Sequence, residues 1–407
     1  MSLETLSAGR SKRPSGSTAR TPAPTLPAEV KRQILRFAAA ARPNIRKVVR
    51  TQPRTAELVQ VFPGLLYALA MELCPADQRQ LALQRIAEGA PLRSAAAAAG
   101  VPMWLRRLPP EAFANDLDGL PAAESFARRI ATRLPVRAAD ASDWLETVRL
   151  AARAADDEFA LWVARHRIDG YRADRGERLT ILAAYAWHSV NTWAPASALV
   201  GSRWRPEMSP ETAICAAKSW FNRVQLCIVL DDAEVALDPW LQAGEIDGYD
   251  FRPLVAATDL LEEARAMNNC ADQYGAALVE SRCRLFSVRC RGAHEATLEI
   301  APHNRETGVL SIAQLKGRNN APATDAVWRA ALRWLAMQPR LLQSPARTRR
   351  ATAHATAVWQ RLMGPYRADR GGAPWLPAEA TEDCIRRLEA GLHLLARDAG
   401  IRSWLFV

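Results

Sequence analysis

Between residues 55 and 195 apolar side chains recur every three to four positions, in runs such as Ala76 to Glu88, Ala122 to Leu134 and Asp143 to His166. No sustained alternation interrupts them, so the spacing predicts helices. A further helix is predicted from Pro27, where Val30, Ile34, Phe37 and Ala41 share one face while Lys31, Arg32 and Arg36 fall mostly on others. Pro, Ser and Gly cluster between Pro195 and Pro210 and mark a boundary. Helical runs then cover Pro210 to Val224 and Asp259 to Met267, and another begins near Cys270. After that the period falls to two. Strands are predicted over Arg284 to Arg289, Glu295 to Ile300 and Val309 to Leu315, the first two joined by a turn at Arg291 to His294, and a helix follows over Thr324 to Met337. Alternation turns Ala296, Leu298 and Ile300 to the core and Glu295, Thr297 and Glu299 to the opposite face. The expected fold class is α+β, with a mainly helical N-terminal half, a small antiparallel three-stranded meander flanked by helices, and a helical C-terminal tail. The expected divisions are a disordered basic arm over 1–27, a helical domain over 28–195, an α+β core over 196–345 and C-terminal helices over 346–407.

Composition narrows the class. The chain has 407 residues, 49% of them apolar and 24% charged, with 13 tryptophans, which suffices for more than one core and excludes a fibrous or wholly disordered protein. Seven cysteines without a C-x-x-C pair do not make a disulfide scaffold, and residues 1–20 lack the apolar run of an export signal. The apolar stretch Val61 to Met71 contains Pro63 and Gly64 and is too short to span a bilayer. A cytoplasmic protein without integral membrane contact is expected.

The net charge of +11 is unevenly placed: residues 1–54 carry twelve Arg and Lys against Glu4 and Glu29, and so hold nearly all of it. Arg10, Lys12, Arg13 and Arg20 lie on a Ser, Thr, Pro and Ala-rich stretch too poor in large apolar groups to order itself. Lys31, Arg32, Arg36, Arg46, Lys47 and Arg50 continue the basic segment into the helical region. This is the footprint of phosphate-backbone contact, with anionic lipid as a second partner and a solubilising tail as the plain alternative. No aromatic precedes Phe37, so base stacking by the arm is not expected.

Two further patterns are weaker. Ala90 to Leu108 is similar to a helix-turn-helix, with Gly100 at the turn and Arg106 and Arg107 on the second helix, although Pro109 and Pro110 end that helix early. The hexapeptide Tyr-Arg-Ala-Asp-Arg-Gly occurs at Tyr171 to Gly176 and Tyr366 to Gly371, with unmatched flanks, and is read as two polar turns.

The segment from Asp259 to Asn320 carries most of the information. Met267-Asn268-Asn269-Cys270 with Tyr274, then Arg284 to Arg289, Ala296-Thr297-Leu298-Glu299, and Gln314-Leu315-Lys316-Gly317 with Asn319 resemble the PcfJ-like proteins of bacterial conjugative plasmids and other mobile elements. The motif residues are Asn269, Cys270, Tyr274, Arg289, Thr297, Glu299, Gln314, Gly317 and Asn319; many members have a His where Asn269 stands. The resemblance implies a role near DNA transfer or mobile-element biology, with protein partners of such a system.

Three chemistries can be written on this segment. Cys270 at a helix start could be a thiolate nucleophile with His294 as a distant base, against the alternative of a small buried core residue. Cys270, Cys283, Cys290 and His294 make a poor zinc set, because positions 283 and 290 point to opposite faces of a strand, so no metal is expected there. Glu299 on one strand and Gln314 and Lys316 on the next, beside a helix with Glu262 and Glu263, are similar in layout to PD-(D/E)xK nucleases and would then use Mg²⁺. The leading expectation is a nucleic-acid-associated accessory protein docking through its basic N-terminal segment, with no cofactor. The alternatives are this metal-dependent nuclease and a protein-interaction scaffold.

Overall fold

The computed structural model describes residues 26–167, 176–230, 237–303, 306, 308–339, 352–371, 373 and 375–401. It is α+β, as the periodicities predict, with 16 α-helices and one antiparallel sheet among the described residues. The chain divides into two compact units, residues 1–101 with 105–114 and residues 102–104 with 115–407. The boundary expected at 195–196 falls inside the second unit. Almost all of the expected arm over 1–27 lies outside the described residues.

The first unit is helical. Its centre is the Pro63–Ala70 helix, buried at every position, which accounts for the apolar Val61 to Met71 stretch as an internal core helix. A Cβ on Gly64 would come within 2.8 Å of the Phe113 ring, so the close approach requires glycine. The basic segment is two helices, Ala28–Ile34 and Arg42–Thr51, and Ile34, Phe37, Ala41, Ile45 and Val49 are all essentially buried. The helix-turn-helix expectation is corrected. The Leu92–Ala98 helix ends at Ala99, Gly100 turns in the left-handed region at φ +65°, and Met103–Arg107 is a short 3-10 turn confined by Pro102 and Pro109. Arg106 donates to the Val61 carbonyl at 3.2 Å.

In the second unit the single run Asp143 to His166 is two helices, Ala141–Ala154 and Asp157–His166. Asp156, extended and accepting from the Phe159 amide at 2.8 Å, caps the second one and explains the break. The Gly176–Val190 helix is buried from Arg178 to Ser189 and runs through the helical core. The second hexapeptide copy is no turn over most of its length: Tyr366 to Asp369 end the Thr352–Asp369 helix, and Tyr366, fully buried, donates to the Ala154 carbonyl at 2.8 Å. The first copy is mostly outside the described residues.

The sheet has five strands where three were expected: β1 (Gly244–Ile246), β2 (Tyr249–Pro253), β3 (Arg284–Cys290), β4 (Ala293–Pro302) and β5 (Leu310–Lys316), in chain order. Two-residue turns with positive φ at both positions, Asp247-Gly248 and Arg291-Gly292, make the β1–β2 and β3–β4 hairpins. One face packs Phe251, Phe286, Val288, Leu298, Ile300 and Leu315 against the Asp325–Ala336 helix. Trp334 of that helix stacks on Phe251 at 4.7 Å and meets Phe286 edge-on at 4.9 Å. Thr324 caps the helix by accepting from the Val327 amide.

Two bulges set the other face. Val288 pairs with Ala296 but Arg289 with His294, so Glu295 is an extra residue on β4. Glu299 pairs with Gln314 but Ile300 with Ile312, so Ala313 is extra on β5. Without the first, His294 would share the core face with Ala296; without the second, Gln314 and Lys316 would share it with Ile312.

Within the helical core His188 is fully buried among Trp187, Trp220 and Tyr366, and neither ring nitrogen has a partner among the described residues. Burial pushes its pKa down to about 3. The unfolded chain then binds a proton that the folded one refuses, so stability is fully present above about pH 6.5 and is lost as pH falls towards 3. The His188→Phe protein should lose less stability than the native chain between pH 6.5 and 4 in urea titrations; equal pH dependence would show that His188 is not the titrating group.

Candidate functional site

The polar face of the sheet is covered by the Ala257–Met267 helix, whose first turn is held by Asp259 accepting from the Val255 and Ala256 amides at 3.2 and 3.0 Å. This brings Glu263, with no exposed surface, over β3 and β4. Its Oε1 accepts from Thr297 Oγ1 at 2.6 Å and its Oε2 lies 2.7 Å from His294 Nδ1. Asn269 Nδ2 donates to Thr297 Oγ1 at 2.8 Å, and Ser287 Oγ lies 3.3 Å from His294. Outside this layer the exposed Glu262 pairs with Arg289 at 3.2 Å and lies 3.4 Å from His294 Nε2. A carboxylate therefore does orient His294, and the sequence conceals it because the Glu295 bulge reverses the side on which His294 lies. The two loops at the sheet's end are tied by Asn268 Nδ2 donating to Asn319 Oδ1 at 2.7 Å. Asn268, Asn319 and Asn320 all have φ near +50° to +60°, a region Asn tolerates.

Next to this network lies a small pocket that gathers most of the residues singled out in the sequence: Asn269, Cys270, Tyr274, Glu299, Gln314 and Lys316. Glu299 and Gln314 are direct cross-strand partners, and Lys316 pairs with Thr297 on the same face, so the three proposed nuclease residues do converge. Tyr274 donates to Glu299 Oε2 at 3.0 Å. The short Ala271–Gln273 turn that carries Tyr274 into place is anchored by Asp272, buried, against Arg223 at 2.6 Å. Gly317 and Asn319 form the loop below: the Gly317 amide donates to the Ala321 carbonyl at 2.8 Å.

The chemistry of this pocket is that of protonated donors. Burial, and then the Glu299 charge, pushes the Tyr274 hydroxyl far above its usual range and, outside the pocket lining, the buried Cys283 thiol up to about 12. Cys270 is exposed, which corrects the expectation of a buried core cysteine. Its thiol is nevertheless raised by partial desolvation and by the Asp272 and Glu299 charges, against the opposing pull of its own backbone hydrogen bond. No contact joins Cys270 to His294, whose Nδ1 is committed to Glu263, so the nucleophile and base pair is not assembled. The metal chemistry fits poorly too. One carboxylate with an oxygen already bonded to Tyr274, an amide and an ammonium supply too few anionic oxygens for a divalent cation. The pocket itself is small, about 40 Å³. No set of three His, Cys, Asp or Glu side chains suited to a metal occurs among the described residues.

The basic residues fall into three groups. Arg10, Lys12, Arg13 and Arg20 lie outside the described residues. Arg32 pairs with Glu29, and Arg36 with Glu111 at 2.8 and 3.1 Å, so these two charges are matched, while Lys31 is exposed. On the Arg42–Thr51 helix, Ile45, Val48 and Val49 turn inward and Arg46, Lys47 and Arg50 outward. The outward three, with Pro43 and Thr51, line an open groove without a carboxylate, and none has an ion-pair partner among the described residues.

Compared with protein-family models, curated proteins and solved structures, the chain has no match.

Two outcomes follow from this geometry. Glu263→Ala strips partners from His294 and Thr297 in a buried layer and should cost about 1–3 kcal/mol in denaturant titrations; a neutral substitution would mean that water replaces it. Cys270 should be alkylated by iodoacetamide at pH 7.5 more slowly than a free cysteine, and Cys270→Ser should shift stability by less than about 0.5 kcal/mol. Peptide mapping that finds rapid, stoichiometric labelling of Cys270 at neutral pH would instead reveal a thiolate.

Proposed function

We propose that the protein is a nucleic-acid-associated accessory protein that docks on the phosphate backbone through its basic N-terminal segment. The observation that carries this reading is the outer face of the Arg42–Thr51 helix, where Lys47 and Arg50, exposed, and Arg46, half-buried, line one groove without an ion-pair partner among the described residues, on a helix whose inner face is packed. Cations not engaged in ion pairs keep their charge available for phosphate. Binding of this kind is sequence-independent, driven by counterion release and sensitive to salt. The charges of Arg10, Lys12, Arg13 and Arg20 add to it in the same reading. The resemblance of the Met267 to Asn319 segment to PcfJ-like proteins supports an accessory role of mobile-element or conjugation type, in which the hydrogen-bonding pocket of the sheet offers a recognition surface for a protein or nucleic-acid group. A cytoplasmic setting accords with this; among the described residues no helix is long and apolar enough to cross a membrane.

The test must spare the core. Removing residues 1–54 would delete Ile34, Phe37, Ile45 and Val49, all buried, and so would confound binding with folding. The R46A/K47A/R50A protein keeps that inner face. On duplex DNA its affinity should fall, and its log-log salt slope should shrink by about 0.9 for each phosphate that the three side chains no longer neutralise. An unchanged slope and affinity in a gel-shift salt titration would exclude this face as the docking surface.

A further inference from the structure

A second hollow of small-molecule size lies in the helical part of the second unit, apart from the sheet pocket. It holds about 480 Å³, within the roughly 300–1,000 Å³ of small-molecule sites. Its floor is apolar and rigid: Trp144 and Val148 come from the Ala141–Ala154 helix, Val163 and Ala164 from the Asp157–His166 helix. Val148, Val163 and Ala164 are buried in the helix packing, and Trp144 is braced edge-on by Trp104 at 6.2 Å. The wall is the Leu134-Pro135-Val136 turn, with Val136 82% exposed, an apolar group left facing open space.

The rim decides the ligand's charge. Five charged residues line it. Arg137 is clamped in a bidentate pair by Asp140, at 2.8 and 3.2 Å, so these two cancel. Asp143 has a partner of its own. Arg133, just beyond the Glu124–Ile130 helix, and Arg167, the left-handed cap of the Asp157–His166 helix, make no ion pair or side-chain hydrogen bond among the described residues. Behind the cleft, His166 reports the same local field: burial first, then the Arg165 and Arg133 charges, hold its pKa below the usual histidine value.

We propose that this cleft binds a small aromatic anion, its flat body on the apolar floor beside Trp144 and its acidic group taken by Arg133 and Arg167. Two guanidinium forks suit a phosphate, sulfonate or carboxylate, whose oxygens accept paired N–H donors. The apolar floor supplies the surface burial that an inorganic anion could not use, so the aromatic body and the charge are both required for affinity. Nucleoside monophosphates and aromatic carboxylates share this chemistry.

The probe is 1-anilinonaphthalene-8-sulfonate, titrated into the full chain with emission as the readout. Saturable one-to-one binding is expected, weakened at least tenfold in R133A/R167A and unchanged in Arg128→Ala, which removes an exposed charge outside the cleft. Competition by AMP or by 2-naphthoate tells the two ligand sources apart; adenosine and 2-naphthalenemethanol, the uncharged counterparts, should compete poorly. The R133A/R167A chain should keep its DNA affinity, because the docking cations belong to the other compact unit, so this inference and the nucleic-acid reading fail separately. Absence of saturable binding, equal affinity in R133A/R167A, or equal competition by the uncharged compounds would overturn the proposal.

Discussion

A carboxylate with no exposed surface loses several kcal/mol of hydration unless hydrogen bonds replace it, and Glu263 is placed in that position at the seam between the Ala257–Met267 helix and the sheet. Its two oxygens need donors at two defined points, and Thr297 and His294 provide them at 2.6 and 2.7 Å. The helix therefore has one workable register on the sheet. A shift that placed the neighbouring Ala264 there would leave a hydroxyl and an imidazole without acceptors. The same docking puts Asn268 and Asn269 at the end of the helix, where one ties the opposite loop and the other ties Thr297. The pocket beside them exists because this one buried charge fixes the helix end.

The strands explain what was legible in the sequence and what was hidden. Alternation in Ala296, Leu298 and Ile300 identifies the core face of β4, and Glu299, Gln314 and Lys316 do share the opposite face. Periodicity is blind to bulges, since each adds one residue without changing composition. Glu295 is such a residue, and it moves His294 from the core side to Glu263, so the charge layer could not be read from spacing. β1 and β2 were missed for a different reason: they are short and carry little alternation, yet Asp247-Gly248 between them is a strong hairpin signal of the turn-residue type. The helix break at Ala155 had a local sign too, Asp156 ahead of Asp157 and Glu158, the acidic pattern of a helix start.

The N-terminal basic segment shows how one helix serves folding and charge display together. In Arg42–Thr51 the apolar positions 45, 48 and 49 are spent on the core and positions 46, 47 and 50 face outward, so the inward contacts hold the outward cations on one ordered face. In and just after the preceding helix, the comparable cations Arg32 and Arg36 are met by Glu29 and Glu111 instead. Net charge alone cannot tell these cases apart, because Arg36 and Arg46 count equally in a sum. What separates them is a carboxylate 75 residues away in the chain, and only the fold brings it near.

The same distinction between counting groups and knowing their neighbours applies to the sheet pocket. Cys270, Cys283, Tyr274 and Glu299 would read as reactive side chains in an inventory, yet Glu299 supplies the negative charge that, after burial, keeps the Tyr274 hydroxyl and the thiols protonated. A nucleophile needs a nearby cation or a base with a free lone pair. His294 is held by Glu263, and Lys316 stands at the exposed rim of the pocket. The electrostatics therefore keep the Tyr274 hydroxyl and the thiols as hydrogen-bond donors. In a cavity this small, an amide, a carboxylate, an ammonium and a phenol together select a partner group by its pattern of donors and acceptors.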